Sequence, residues 1–362
     1  MNRPVVSRRS FATGVAAAAT AAMAAMAAPV FGRSRRLTDE TIIGAGDHRF
    51  RVTHHFPQLP DRFTWQTTHG VAVDAAGNLY VIHEGKKEQK DHPAIFVFDP
   101  QGKFIRAFGS EFQGGGHGIE VRQEGNDEFL YVCGYQGVKC FVKMTPTGEI
   151  VWFRKAPMES GVYSPGEDVS TKPSWNRQGF LPTNFAFLDD GGFLLADGYG
   201  SFRIHRYDKD AKWLSSFGGD GKGEGTFNTP HGIWIDRRAG REPTIVVCDR
   251  AHNTLQILTL DGVYKETITG FGLPANIDTW KNLLLVPELK ACVTLLDDKN
   301  QVVAQLGRAV ERLDEIKNLR GQPDQWLDGQ FVHPHDACFA ANGDIIVAEW
   351  VGTGRVSKLE RV

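Results

Sequence analysis

From residue 47 onward the chain alternates short runs of β-branched and aromatic residues with Gly, Asp and Asn turns. Runs this short, bounded by turn formers, predict β-strands; a helical period shows only over 310–318. The runs also recur as a unit. His69-Gly70-Val71-Ala72-Val73-Asp74 leads into a turn at 75–78, then Leu79-Tyr80-Val81-Ile82, then two further strands at 94–99 and 103–108. The same opening returns at His117, Asn184, His231, Asn276 and His335, at intervals of 48, 67, 47, 45 and 59 residues. Four strands in roughly 40–50 residues, repeated, is the signature of a β-propeller, and six openings predict six blades. The two long intervals hold insertions, at 157–182 and 310–332.

The last unit has only three strands before the chain ends, so His48–Thr53 is expected to supply its outer strand and close the ring. The expected fold class is all-β: a six-bladed propeller over 47–362, one domain because single blades cannot bury their own faces. The turn chemistry and strand patterns resemble the NHL-repeat propellers.

Composition changes this picture little. Forty Gly in 362 residues, against about 25 at average usage, fits a fold rich in tight turns. Lys+Arg at 41 against Asp+Glu at 43 excludes a strongly basic surface, so no nucleic-acid partner is expected. Cys133, Cys140, Cys248, Cys292 and Cys338 read as free thiols in strands or, for Cys133 and Cys140, as a hairpin bridge.

The first residues read as an address. Ser7-Arg8-Arg9-Ser10-Phe11 precedes a weakly apolar Ala-rich stretch, the pattern of a twin-arginine (Tat) export signal over 1–28. Ala25-Met26-Ala27 offers a small-x-small cleavage site, with 29–46 as a linker. The expected location is periplasmic or secreted, with no stable membrane anchor after cleavage. This route carries folded proteins, so a metal can be loaded before export.

In such a ring the opening strand of each blade lines the central channel, and its first residue sits near one mouth. Those residues are His69, His117, Asn184, His231, Asn276 and His335. Blades two, four and six alternate, so His117, His231 and His335 converge from about 120° apart by closed symmetry. Three imidazoles with a fourth position open is the pattern of a catalytic zinc. His69, Glu84, Asn184 and Asn276 are read as channel-lining residues, with an extra ligand as the alternative for His69.

Three runs resemble the peptidyl-α-hydroxyglycine α-amidating lyases, zinc propellers that split that carbinolamide into a peptide amide and glyoxylate. They are Leu195-Ala196-Asp197-Gly198-Tyr199-Gly200-Ser201-Phe202, Pro230-His231-Gly232 with Cys248-Asp249-Arg250, and Pro334-His335-Asp336 with Asn342-Gly343-Asp344. The resemblance implies zinc on His117, His231 and His335, Tyr199 as the base, and Arg250 as the holder of an anionic group. Asp336 would orient a ligand or bind a structural calcium. One departure is plain: where that family has a second active-site arginine, His83-Glu84-Gly85 stands here, reversing the charge. The expected reaction is metal-dependent C–N cleavage of a small-molecule or peptide substrate at one mouth. The alternative is a non-catalytic propeller that binds a protein or glycan. A sugar-lactone hydrolase with channel calcium would favour Glu, Asp and Asn ligands, against the His trio.

Overall fold

The computed structural model describes residues 40–362; the twin-arginine motif and its cleavage site lie outside the described residues. Six sheets are present, one per predicted opening. Blade one runs Thr68–Val73, Leu79–His83, Ile95–Phe98, Phe104–Phe108, and blade two Gly116–Glu124, Asp127–Gly134, Cys140–Met144, Ile150–Arg154. Blades three to five follow the same antiparallel order from inner to outer strand. Their inner strands are Asn184–Phe187, Pro230–Asp236 and Asp278–Trp280. The fold is a six-bladed β-propeller.

Blade six is built from both ends of the described chain. Its inner three strands are Pro334–Phe339, Ile345–Glu349 and Arg355–Arg361, and His48–Thr53 pairs antiparallel with the last of them. A fifth strand, Ile42–Ala45, then folds back on His48–Thr53. Strand pairing is therefore present at Ile42–Ala45, inside the stretch read as linker. The Gly46-Asp47 turn makes this hairpin: Gly46 adopts a positive φ of 55°, which glycine tolerates.

Each blade is buried on both faces, so its strands carry apolar residues on both sides of the pleat. Ile82, Ile95, Ile119 and Val132 pack between blades one and two, and Tyr131, Phe141, Phe185 and Phe193 between two and three. Cys133 belongs to the second of these cores and Cys140 to the first. They cannot form the hairpin bridge: Cys140 sits opposite Gly134 and Cys133 opposite Phe141, so neighbouring pleats turn them to opposite faces. All five cysteines are free.

The closure can be tested directly. Phe50, on the His48–Thr53 strand, is fully buried among Leu285, Ala337, Ile345 and Leu359. Phe50→Ala is expected to cost about 3–5 kcal/mol, read by urea unfolding. A loss of a few tenths would mean that the strand is dispensable.

The insertions carry the irregular structure. Residues 310–332 form the helix Val310–Glu315 and two 3-10 turns, Leu319–Gly321 and Pro323–Gln325. The helix stops short of the expected 318 because the chain turns extended at Ile316, with φ −103° and ψ 104°. No helix among the described residues is long and apolar enough to cross a membrane.

Candidate functional site

The four histidine openings share a local irregularity that the two asparagine openings lack. In blades one, two, four and six the register with the second strand shifts at the opening, between Thr68 and Gly70, Gly116 and Ile119, Pro230 and Ile233, and Pro334 and Asp336. Such bulges re-aim a side chain out of the ladder. His69, His117, His231 and His335 sit in these shifts, and all four rings meet in the channel. Asn184 instead stays in register with Ala196, and Asn276 precedes the short strand Asp278–Trp280.

His117, His231 and His335 form a near-equilateral triangle, with ring centroids 4.8, 4.8 and 5.0 Å apart. Each is fastened by Nδ1 to a backbone carbonyl of the next blade: His117 to Thr183 at 3.0 Å, His231 to Ala275 at 2.6 Å, His335 to His69 at 2.8 Å. A carbonyl only accepts, so Nδ1 carries the proton and the neutral ring keeps a lone pair on Nε2. Burial holds all three well below the ordinary histidine pKa, with neighbouring rings or Arg250 pushing the same way, so they are neutral.

The glycines that follow make these locks fit. A Cβ on Gly118 would lie 2.3 Å from Thr183 O, the acceptor of His117. One on Gly232 would lie 2.8 Å from Ala275 O, the acceptor of His231, and 2.5 Å from Asn276 Cα. Gly232→Ala is therefore expected to cost about 1–3 kcal/mol in a thermal melt. Gly352→Ala, with nothing within 4 Å, should be near neutral. Equal effects of the two would remove the packing argument.

The consequence is electrostatic. Nε2 of His117 and Nε2 of His231 are 3.2 Å apart, and each carries a lone pair. Two acceptors at that distance cannot bond one another. The Tyr199 hydroxyl lies 3.0 Å from the first-named partner's neighbour, His231 Nε2, and 3.3 Å from His117 Nε2, and has one proton for the two. A cation answers this deficit. Nitrogens about 2.0–2.1 Å from one ion lie about 2.9–3.4 Å apart at right-angle to tetrahedral geometry, which brackets the observed spacing. The small cavity that the four imidazoles share with Asn184, Asn276 and Asp336 is about 10 Å³, room for a water or a single ion. The donor set fits zinc or a related transition metal ion.

Tyr199 stands beside this triangle with Arg250, whose guanidinium carbon is 5.0 Å from the phenol ring centroid. Burial raises the phenol above its ordinary pKa, and Arg250 pulls it back down. Asp249 does not pair with Arg250: it is buried and accepts from Asn228 N–H, His252 and Gln256. Among the described residues no carboxylate lies within ion-pair distance of Arg250, so its charge is free for a ligand. Trp175, half exposed, packs against Tyr199 and Tyr135 at the mouth. Trp65 and Trp326 instead pack against Phe96 and Phe98 and against Arg355, respectively.

One placement differs from the expectation and two add to it. Asp336 orients no imidazole: its Oδ2 accepts from Val71 N–H at 2.9 Å and its Oδ1 from Asn276, while backbone carbonyls do the orienting. Burial pushes its carboxyl up to about 7. A calcium there would have to share oxygens already engaged. His69 does not merely line the channel, since its ring is 4.5 Å from His335 and 5.0 Å from His117. Glu84 lies 3.4 Å from His69 Nε2 and accepts from the Tyr135 hydroxyl at 3.0 Å and from Gln136.

Arg320 was not legible at all. It comes from the 310–332 insertion, stacks its guanidinium 3.3 Å over Trp350, and acts electrostatically on Glu84, Tyr135 and His69. It brings a second guanidinium within electrostatic reach of Glu84, Tyr135 and His69. At the opposite end a larger cavity of about 210 Å³ is lined by Trp234, Asp278, Trp280 and Phe339. Both Asp278 oxygens accept N–H donors there, and two further buried carboxyls, Glu120 and Asp336, line the same cavity.

No family model matches the chain. It is similar to NHL repeat-containing protein 3 of Homo sapiens, 27% identical over 263 residues, covering 71% of this chain and 67% of the relative. The Mus musculus protein of the same name is 28% identical over 279 residues, 72% and 68% respectively. Among solved structures it is similar to a streptogramin B lyase, with a TM-score of 0.54 at 13% identity over 86% of this chain and 97% of the other. A gluconolactonase from Xanthomonas campestris gives 0.54 at 12% identity, over 86% and 89%. At such identities the solved structures speak for the fold alone, a six-bladed propeller, and the two relatives make the chain similar to NHL repeat-containing proteins.

Proposed function

We propose that the chain is an exported, metal-dependent lyase, with zinc as the ion and a peptidyl-α-hydroxyglycine-like carbinolamide as substrate. The observation that carries this reading is the facing pair of Nε2 lone pairs on His117 and His231, 3.2 Å apart beneath the Tyr199 hydroxyl. His117, His231 and His335 would hold the ion, which supplies Lewis-acid polarisation of a substrate oxygen when bound. Tyr199 takes the proton from the carbinol hydroxyl as the C–N bond breaks, and that proton goes to the departing amide nitrogen. The products are a peptide amide and glyoxylate, and the atoms balance. Arg250, with Arg320 across the mouth, holds the substrate carboxylate. Trp175 and Tyr135 give the flanking peptide an apolar wall.

The twin-arginine pattern supports export after metal loading in the cytoplasm. A lyase on the same fold, the streptogramin B enzyme, is compatible with the reaction class. The test is metal content of the natively purified protein, followed by a glyoxylate assay on an α-hydroxyglycine peptide. One equivalent of zinc and glyoxylate release are expected. Metal without turnover would overturn the substrate, and a folded protein free of metal would leave the non-catalytic binding propeller.

A further inference from the structure

We propose that His69 is a fourth metal ligand and that Glu84 is the residue that positions it. This rests on the metal reading above but concerns a residue outside the alternating trio. His69 is 1% exposed; its Nδ1 has no hydrogen-bond partner, and its Nε2 has only the Glu84 carboxylate, 3.4 Å away. A buried polar group left so costs free energy unless something else binds it. Ring nitrogens of His69, His117 and His335 all lie within 4.8 Å of one another, and His231 joins them through His117. His69 is thus inside the same cluster as the other three.

Its anchoring differs, and the difference has a structural cause. The trio lock Nδ1 onto carbonyls of the odd-numbered blades, and the His69 carbonyl is one of those acceptors. The equivalent carbonyl of the next blade, His117 O, stands 2.8 Å from where a Cβ on Gly70 would be, yet the His69 ring does not bond it. Glu84 takes that part: Oε2 stands 3.4 Å from His69 Nε2, while Oε1 is held by Tyr135 and Gln136. One nitrogen turned to the carboxylate leaves the other for the ion, the carboxylate–histidine–metal arrangement that fixes ring orientation and raises ligand basicity.

The charge reversal at 84 then has a meaning. A carboxylate beside an added imidazole strengthens a cation site, whereas an arginine there would repel the ion. Glu84 is placed for this by the first hairpin, where His83 pairs with Thr68 and Glu84 N–H donates to Thr67 O. The ligand is a divalent first-row transition ion with a preference for nitrogen, in a shell of four neutral imidazoles. Calcium and magnesium, which take oxygen donors, are excluded from it.

The test uses the full-length metal-free protein titrated with Co²⁺, whose visible absorption reports its ligand set and geometry. Wild type is compared with His69→Ala, His69→Gln, Glu84→Gln and His231→Ala, each checked for fold by circular dichroism. Both His69 variants are expected to shift the Co²⁺ bands and weaken binding at least tenfold. Glu84→Gln should weaken it about 10–100-fold with smaller spectral change. Unchanged spectrum and affinity in both His69 variants, alongside lost binding in His231→Ala, would overturn the proposal and leave a three-histidine centre. A wild type that binds no Co²⁺ would overturn the metal reading itself.

Discussion

Between pH 6.5 and 4 the protein is expected to lose stability steeply, and buried histidines set the slope. Nine histidines have their pKa pushed down, burial being the first cause in each: His54, His55, His69, His83, His117, His205, His231, His333 and His335. A histidine with a depressed folded pKa adds stability that is fully present above 6.5. That stability is lost as pH falls from the unfolded value toward the folded one, because only the unfolded chain binds the proton. Five buried carboxyls, Glu120, Asp197, Asp278, Glu288 and Asp336, are raised and act in the opposite sense. In the metal-free protein, where His69, His117, His231 and His335 hold no ion, the histidines outnumber them, so net stability rises with pH in this window.

His83 isolates the effect. It is fully buried, lies against Trp65 and Phe96, and has neither ring nitrogen hydrogen-bonded. Its pKa falls to about 3. Replacing it by phenylalanine removes one proton from the linkage without adding a polar group. Relative to its effect at pH 7, His83→Phe should gain about 2 kcal/mol on wild type at pH 5. Urea titrations of both proteins at the two pH values read this difference. Parallel pH dependence would show that His83 does not titrate on unfolding.

The propeller was open to a sequence reading because its period is written in residues that the fold needs for local reasons. An opening His or Asn and a short apolar inner strand recur wherever a blade starts, with Gly, Asp and Asn in the turns, and six such starts match six sheets. The hairpin at Ile42–Ala45 escaped because four residues beside a single Gly-Asp turn give too short a period to read. The histidine triangle was legible from blade alternation alone. What holds it was not: the acceptors for His117, His231 and His335 are main-chain carbonyls of Thr183, Ala275 and His69, and carbonyls have no sequence signature. Arg320 reaches the mouth from an insertion, where no repeat register predicts its position. The pairing of His69 with Glu84 had a usable signal, since both stand at the same end of the first hairpin, one at the start of the inner strand and one just past the second.

Removing one hydroxyl should silence the proposed chemistry while sparing the metal. Tyr199→Phe is expected to lower kcat by about 10²–10⁴-fold, the range for loss of a positioned proton-transfer group, with Co²⁺ affinity changed little. The phenol oxygen sits 3.0 Å from His231 Nε2 and 3.3 Å from His117 Nε2, so it is next to any substrate oxygen bound at the triangle. Its difficulty as a base is burial, which raises its pKa; Arg250 offsets this by favouring the phenolate. Arg250→Met must therefore move the ionisation of Tyr199 upward. The rising limb of kcat against pH should shift to higher pH in that variant, and KM should rise with loss of the carboxylate holder. These two readouts separate the roles: a structural arginine would alter both proteins' melting points but leave the pH limb in place. If Tyr199→Phe keeps wild-type kcat, the proton is moved by another group.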